Sequence, residues 1–442
     1  MFLGLISSVF TCSFFVFFLP KPSCQFPEPL MQPNILFLLI DCLRADAVVG
    51  SERGAQTPTL DRLVRNGVAC TQAVSSASST TQCVASLLTG TYSFVHGIRS
   101  IFGLKMNSAV SSLAEAFQAH GYQTVAEVSG PLFPETGLPR GFDTYHFREG
   151  SAYLSTSWGA DFRRRLQSAE FRQPWFLFLH LWELHHHRHI LPAYSSREFG
   201  RNRYERALSS LDAELATLLA LLPQNTLIVI HGDHGERVVK TDFQYRLYRL
   251  SRDLLGRKTM KREGHEMDVS EELIRVPLVF TSPDGAVHSG LQPGTQVGQL
   301  VRQIDALPTV LDLVGVPAPP NIHGQSLRPA LQNHTPLAIE AYLEAFLRIR
   351  SDPRNRRVGW RTEEWKYIYA PQNPGLPQEL YHLPSDPRER NNVATQRPEV
   401  AALLRQRIEA IQNGPIAANP GQVMSAEEQA QLEKRLVELG YM

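Results

Sequence analysis

Surplus charge of either sign is missing from this chain. Its 442 residues carry 44 Lys and Arg against 43 Asp and Glu, a formal net charge of +1. Binding to nucleic acid rests on excess positive charge that neutralises phosphates, so no nucleic-acid partner is expected. Cysteine is scarce as well. The five residues Cys12, Cys24, Cys42, Cys70 and Cys83 are odd in number and contain no CxxC pair. They support neither a disulfide framework nor a zinc ribbon. No Lys or Arg precedes Lys21, so the apolar residues 2–20 lack the positive region that opens a secretion signal. No internal repeat is present.

What remains is ordinary globular composition, 43% hydrophobic and 20% charged, with ample material for a core. The length suggests one large α/β domain over residues 31–330 and a smaller one over residues 331–442. Residues 1–30 read as a signal or short membrane anchor, giving an exported or membrane-attached protein. If Met31 is the start, they are an upstream artefact and the product is cytoplasmic. A membrane partner is expected only where residues 1–20 act as an anchor.

Three continuous apolar runs stand out: residues 34–40 (NILFLLI), 175–181 (WFLFLHL) and 226–230 (TLIVI). Runs of this kind are central parallel strands buried on both faces. Open α/β sheets bind ligands beyond the carboxyl ends of such strands. The first run ends in Asp41, which reads either as a ligand or as the cap of the next helix. The second enters Glu183-Leu184-His185-His186-His187-Arg188-His189, and the third His231-Gly232-Asp233-His234-Gly235-Glu236. Adjacent Asp and His beside glycine suit a metal site with oxygen and nitrogen ligands. The basic residues 237–262 read as an excursion over the same face, or as a solvated charged helix.

Helical patterns separate the runs. Residues 57–67 start with an early proline and stop at Gly67; residues 113–120 close at Gly121 before a strand over 123–128; residues 204–222 carry an apolar stripe that packs a core. This alternation predicts a doubly wound parallel sheet. Beyond a proline-rich stretch at 317–336, short strands at 358–362 and 365–369 and a terminal helix at 425–439 predict a small α+β subdomain.

A hydroxyl-rich run, residues 75–81, turns into a short apolar helical segment that stops at Thr89-Gly90. Such a segment delivers a hydroxyl to a helix N-terminus, where unpaired N–H groups stabilise a phosphate or sulfate. By itself it also reads as an ordinary capped loop.

Taken together, these motifs resemble the sulfatase family of the alkaline-phosphatase superfamily. The resemblance runs almost collinearly from Asn34 to Tyr441. It is carried by Leu39-Ile40-Asp41-Cys42-Leu43-Arg44-Ala45-Asp46, Thr57-Pro58-Thr59-Leu60-Asp61, Ser86-Leu87-Leu88-Thr89-Gly90, His96-Gly97-Ile98-Arg99, Asp233-His234-Gly235-Glu236, Gly264-His265, Arg275-Val276-Pro277-Leu278 and Arg361-Thr362-Glu363-Glu364-Trp365. It implies an α/β/α sandwich with a mostly parallel central sheet, a small C-terminal α+β subdomain, a metal site, and action on sulfate or phosphate esters that are small or linked to a glycan or lipid.

One departure bears on the chemistry. The family matures a Cys or Ser within a Cys/Ser-x-Pro/Ala-x-Arg core to formylglycine. Counting back from Thr89-Gly90, that position is Thr80, the proline position is Gln82 and the arginine position is Val84; Cys83 is out of register. Threonine nucleophiles occur in superfamily relatives that cleave phosphodiesters or transfer phosphoglycerol or phosphoethanolamine. The expectation is therefore a divalent cation (Mn, Mg, Ca or Zn) on Asp41, Asp233, His234 and the Thr80 hydroxyl, with Thr80 as nucleophile. Glu183, His185 and His265 are expected to act either as a second metal site or as anion-binding and leaving-group acids, and Arg44, His96 and Arg99 to bind or orient the anion. A sulfatase working without formylglycine and an inactive sulfatase-like binding protein are the rival readings.

Overall fold

The computed structural model describes residues 32–50, 53–100, 103–185, 188–238, 264–265, 268–283, 290–345, 352–416, 418–419 and 421–439. The expected leader, Met31, His186, His187, nearly all of the basic stretch 237–262, and Gly440 and Tyr441 lie outside them.

Strand β1 (Asn34–Ile40) has no polar face, and all seven residues are buried. It sits mid-sheet because both faces must be covered by helices. In chain order there follow β2 (Val68–Val74), β3 (Leu104–Lys105), β4 (Gln123–Val128), β5 (Thr144–Phe147), β6 (Trp175–Leu181), β7 (Thr226–Gly232), β8 (Leu278–Thr281) and β9 (Thr295–Arg302). Eight of them form one sheet in the order β5-β4-β6-β1-β7-β8-β2-β9. β1 runs parallel to β6 on one side and β7 on the other, in a register that sets Leu39 level with both His180 and His231. The carboxyl ends of these three strands therefore open at one edge.

Alternate residues of β1 feed different cores. Ile35, Phe37 and Leu39 pack with Val84, Ala85, Leu87 and Leu88 of the Thr80–Thr89 helix. Leu36, Leu38 and Ile40 pack with Leu208, Leu211 and Leu215 of the Arg203–Leu219 helix. This is the expected α/β/α sandwich, with helices on both faces of a mostly parallel sheet.

One strand departs from the expected parallel pattern. β8 is antiparallel to both β7 and β2. The chain returns to the carboxyl edge before β8 begins: the short helix Glu271–Ile274 lies there, with the Gly235 N–H on the Leu273 carbonyl at 2.7 Å. From that edge the next strand can only run backwards. β2, which carries Thr71 and Gln72 midway, has neither clean alternation nor a continuous apolar run and was not expected.

The C-terminal region adds an antiparallel sheet of β10 (Ala341–Glu344), β11 (Val358–Arg361), β12 (Trp365–Tyr369) and β13 (Glu379–His382), with the Pro398–Gln412 helix packed on β11 and β12. The Gln422–Val423 strand, β14, pairs with β3. The hairpin and terminal helix expected from sequence are both present. A buried ionic cluster ties this sheet to the first. Lys366 of β12, fully buried, donates to the Val269 carbonyl at 2.7 Å, lies 3.3 Å from Glu271 Oε1 and pairs with Glu389. Arg361 meets both oxygens of Glu271 at 3.3 Å. Burial alone would push the Glu271 carboxyl up, but Lys366 and Arg361 hold it down at about 2.

Removing one partner of such a cluster strands the others without water. Lys366→Ala should therefore cost about 3–5 kcal/mol of stability, read as a lowered urea midpoint. A loss under about 1 kcal/mol would show that the cluster does not fasten the two sheets.

Candidate functional site

Thr80 is the first residue of its helix, behind Ser79 in extended conformation with no side-chain cap on the helix N–H groups. The helix ends at Gly90, whose φ of +64° suits glycine. All ten helix residues are buried, so the segment is a fixed part of the core. The Thr80 hydroxyl donates to Asp41 Oδ2 at 3.0 Å and lies 3.3 Å from His234 Nε2.

Asp41 extends the ladder one peptide past β1, its N–H on the Leu181 carbonyl at 2.9 Å. Cys42 then turns the chain at φ +60° and donates its N–H to Asp233 Oδ1 at 3.0 Å. The two strand ends, β1 and β7, are thus stitched together through Asp233, whose Oδ1 also accepts from the His234 N–H at 2.8 Å. Gln303 Nε2 donates to the Asp233 carbonyl at 2.9 Å.

The lone pairs of this site converge without enough protons. His234 Nδ1 sits 2.8 Å from the Gly235 carbonyl, which can only accept, so Nδ1 carries the proton. Its Nε2 lies 3.3 Å from Asp233 Oδ2, an oxygen with no hydrogen bond. Backbone anchoring of one imidazole nitrogen so that the other faces a cation is the usual outer support of a metal ligand. His180, fully buried on β6, has neither ring nitrogen hydrogen-bonded and lies 3.5 Å from Asp41 Oδ2. Asp41 and Asp233 are pulled apart electrostatically. Burial raises both, but neighbouring histidines led by His180 bring Asp41 well below the usual carboxylate range, while the Asp41 charge adds to burial in pushing Asp233 up. Asp41, Asp233 and His234 offer three ligand atoms within 4.8 Å of one another. The donor set fits a divalent cation.

A second group borders the first. Cys42 Sγ lies 2.8 Å from Asp41 Oδ1 and 3.2 Å from Glu236 Oε2, and Glu236 Oε2 is 2.8 Å from His265 Nδ1. Against burial, His265 holds the Glu236 carboxyl down at about 2. The His265 ring is 4.2 Å from that of His234 and 5.4 Å from that of His185, which stacks on Trp182. Burial pushes His185 down to about 3, so it is neutral at pH 7.

The structure thus brings together Thr80, Asp41, Asp233, His234, His185 and His265. Other expected residues lie elsewhere. Glu183 accepts from the Leu154 N–H at 2.9 Å and lines a small cavity with Ser155, His189 and Ser210. Arg44 grips Asp46 at 2.7 and 2.8 Å and donates to the Glu236 carbonyl in the site wall. Arg99 pairs with Glu344 at 2.7 Å, and His96 is fully buried against Ser86 Oγ at 3.0 Å. Both follow the far end of the Thr80–Thr89 helix, whose ten residues span about 15 Å. Sequence reasoning missed His180, Cys42, Glu236 and Gln303. A histidine inside an otherwise apolar strand was the one signal that marked His180.

Comparison with known proteins follows the same lines. The sulfatase family profile matches residues 33–316, and the profile of the N-sulphoglucosamine sulphohydrolase C-terminal region matches residues 267–414. Arylsulfatase K of Mus musculus is 27% identical over 227 residues, covering 48% of this chain and 35% of that protein; its Danio rerio counterpart is 31% identical over 219 residues, covering 48% and 37%. The match thus spans about a third of the length of these relatives. A protein solved in complex with its substrate D-glucosamine-2-N,6-O-disulfate superposes with a TM-score of 0.65 at 20% identity, over 87% of this chain and 99% of that one. The phosphonate monoester hydrolase of Agrobacterium radiobacter gives 0.64 at 18% identity, over 85% and 95%.

The environment of His96 has a consequence for acid stability. Its Nδ1 accepts from the Ile98 N–H at 3.2 Å, and burial pushes the ring from 6.5 down to about 3. Below pH 6.5 the unfolded chain takes up a proton that the folded chain refuses, so stability falls as pH drops from 6.5 toward 3 and is unaffected above. His96→Asn should shallow this limb by up to about 1.4 kcal/mol per pH unit, measured by urea unfolding at pH 7, 5.5 and 4.5. Equal slopes in the two proteins would refute a neutral, buried His96.

Proposed function

Because the chain belongs to the sulfatase family, we propose that it is a metal-dependent ester hydrolase or transferase in which Thr80 is the nucleophile, acting on phosphate esters, diesters above all, in place of sulfate esters. The observation that carries this reading is the Thr80 hydroxyl, 3.0 Å from Asp41 Oδ2 and 3.3 Å from His234 Nε2 at the start of a buried helix. A divalent cation held by Asp41, Asp233 and His234 supplies a lowered hydroxyl pKa and a polarised ester oxygen.

The residues divide the remaining work. Asp41 Oδ2 accepts the Thr80 proton and aims the hydroxyl's lone pairs away from the helix. The uncapped helix N–H groups face the anion that arrives there. His185, neutral at pH 7, can donate a hydrogen bond to an ester oxygen as a neutral N–H. Burial of the whole segment keeps the attack geometry fixed.

The side chain at position 80 favours phosphorus over sulfur. A formylglycine hydrate has a second hydroxyl that expels a covalently held sulfate; threonine has none. A phosphorylated threonine is instead resolved by attack of water or an alcohol on phosphorus, breaking the P–O bond and returning the hydroxyl. The similarity to arylsulfatase K favours the second reading, sulfate-ester hydrolysis with an unusual nucleophile. A sulfated or phosphorylated glycan suits either reading, since one structural neighbour holds a sulfated glucosamine.

The test is a panel of p-nitrophenyl sulfate, p-nitrophenyl phosphate and bis(p-nitrophenyl) phosphate, with metal content measured alongside. Diester turnover should exceed sulfate turnover. Thr80→Ala should lower it at least about a thousandfold while bound metal is retained. Sulfate turnover above diester turnover would favour the second reading, and full activity in Thr80→Ala would remove the proposed nucleophile.

A further inference from the structure

We propose that the cavity where the Ser93–His96 helix, the start of β11 and the end of the Pro398–Gln412 helix meet is a binding site for an anionic sugar unit, separate from the strand-end site. Its volume of about 320 Å³ lies at the lower end of the range for small-molecule sites. Arg99, which lines it, follows the far end of the Thr80–Thr89 helix, so the inference does not depend on what Thr80 does.

The charge count around Glu344 leaves one cation over. Glu344 is buried, and its Oε1 accepts from Arg99 Nε at 2.7 Å. Its Oε2 accepts from Arg99 Nη2 at 2.8 Å, Ser93 Oγ at 2.9 Å and the Tyr342 hydroxyl at 2.7 Å. The carboxylate is well supplied with donors before Arg356 is counted. Arg356 stands 3.6 Å from Oε1 through an Nε that is buried and donates no hydrogen bond. Two guanidiniums thus share one negative charge at the cavity wall. Burial pushes the Arg356 guanidinium down; the Glu344 charge opposes this, and the Arg99 charge adds to it. Among the described residues, no Asp or Glu lines the cavity. An anion there supplies the balancing charge, and a guanidinium fork presents paired donors that match a carboxylate, sulfate or phosphate.

The rest of the lining suits a hydroxylated ring better than a bare ion. Phe94, Val358 and Pro371 give the cavity an apolar wall. Gln412 directs its Nε2 to the Tyr342 hydroxyl at 2.9 Å, and Asn413 its Nδ2 to the Glu409 carbonyl at 2.9 Å. Each amide keeps its carbonyl oxygen as an acceptor. Acceptors of this kind repel a bare anion and receive hydroxyl protons. Cations on one side, amide acceptors on another and apolar surface between them are what a ring with both a charge and hydroxyl groups requires.

Glucuronate is the first probe, because it carries the charge without an ester bond to cleave. Titrated calorimetrically into the full chain, it should bind with a Kd of about 1 mM, and glucose at least about tenfold more weakly. Arg356→Gln, which leaves the other donors to Glu344 in place, should weaken glucuronate at least about tenfold. Asn413→Ala changes an exposed side chain and should weaken it about threefold, so the test survives if Arg356→Gln folds poorly. Asp233→Asn alters the strand-end site yet keeps the acceptor for the Cys42 and His234 N–H groups, and should bind glucuronate as the wild type does. Glucose 6-sulfate and glucose 6-phosphate follow, and the loss each suffers in Arg356→Gln identifies the preferred anion. No saturation below about 50 mM, equal binding of glucuronate and glucose, or unchanged affinity in both cavity variants would overturn the proposal. Loss of binding in Asp233→Asn would overturn it too, by placing the sugar at the strand ends.

Discussion

Two carboxylates forced together without water set the terms for the rest of this structure. Asp41 and Asp233 leave the ends of two adjacent, fully buried strands, and the Cys42 peptide ties one to the other at 3.0 Å. Their repulsion in a low-dielectric interior is large enough to need an answer. Among the described residues, the imidazoles of His180 and His234 stand directly beside them. A cation on Asp41, Asp233 and His234, whose ligand atoms lie within 4.8 Å of one another, would balance that charge.

The arginines nearby confirm where positive charge has been withheld. Arg44 is spent on Asp46 at the rim, Arg99 on Glu344 at the far end of the helix, and Arg361 and Lys366 on Glu271 beneath the C-terminal sheet. Arg99, Arg361 and Lys366 each belong to a pair that fixes one element against another. The Glu271 cluster matters for the site because Glu271 opens the short helix whose Leu273 carbonyl holds Gly235, the residue that also orients His234. The C-terminal sheet thus supports a ligand it does not touch, and the reversed direction of β8 follows from the same anchoring.

Much of this was legible in the sequence where chemistry and periodicity agree. β1, β6 and β7 announced themselves as unbroken apolar runs, and Asp41, Asp233 and His234 sit at their ends because strands must stop where polar groups begin. What was not legible depended on three-dimensional register. His180 lies within an apolar run, and only pairing level with Leu39 brings it to Asp41. Cys42 reads as a leftover thiol until its φ and its neighbours are known. Glu236 closes a recognisable motif, but its partner is His265, twenty-nine residues on, across a stretch with little periodicity. β2 was hidden because Thr71 and Gln72 break both the alternating and the continuous pattern. Arg44, His96 and Arg99 looked alike in sequence, as cationic side chains near the motifs, and only their partners distinguish them.

The helix that carries Thr80 shows how the fold accommodates an altered chemistry. The position that bears arginine in the formylglycine motif is Val84 here, and Val84 is packed against β1 in the core. Leu87 occupies the next turn and is equally buried. A cation at either place would now have to displace apolar contacts worth about 1.5–3 kcal/mol per side chain. In the proposed reading, the helix therefore offers the substrate its hydroxyl and its free N–H groups, with no cationic side chain at these two places. The charge of the bound ester then falls on the strand-end cation instead. The groups suited to hold such a cation, Asp41, Asp233 and His234, accordingly gather at the strand ends.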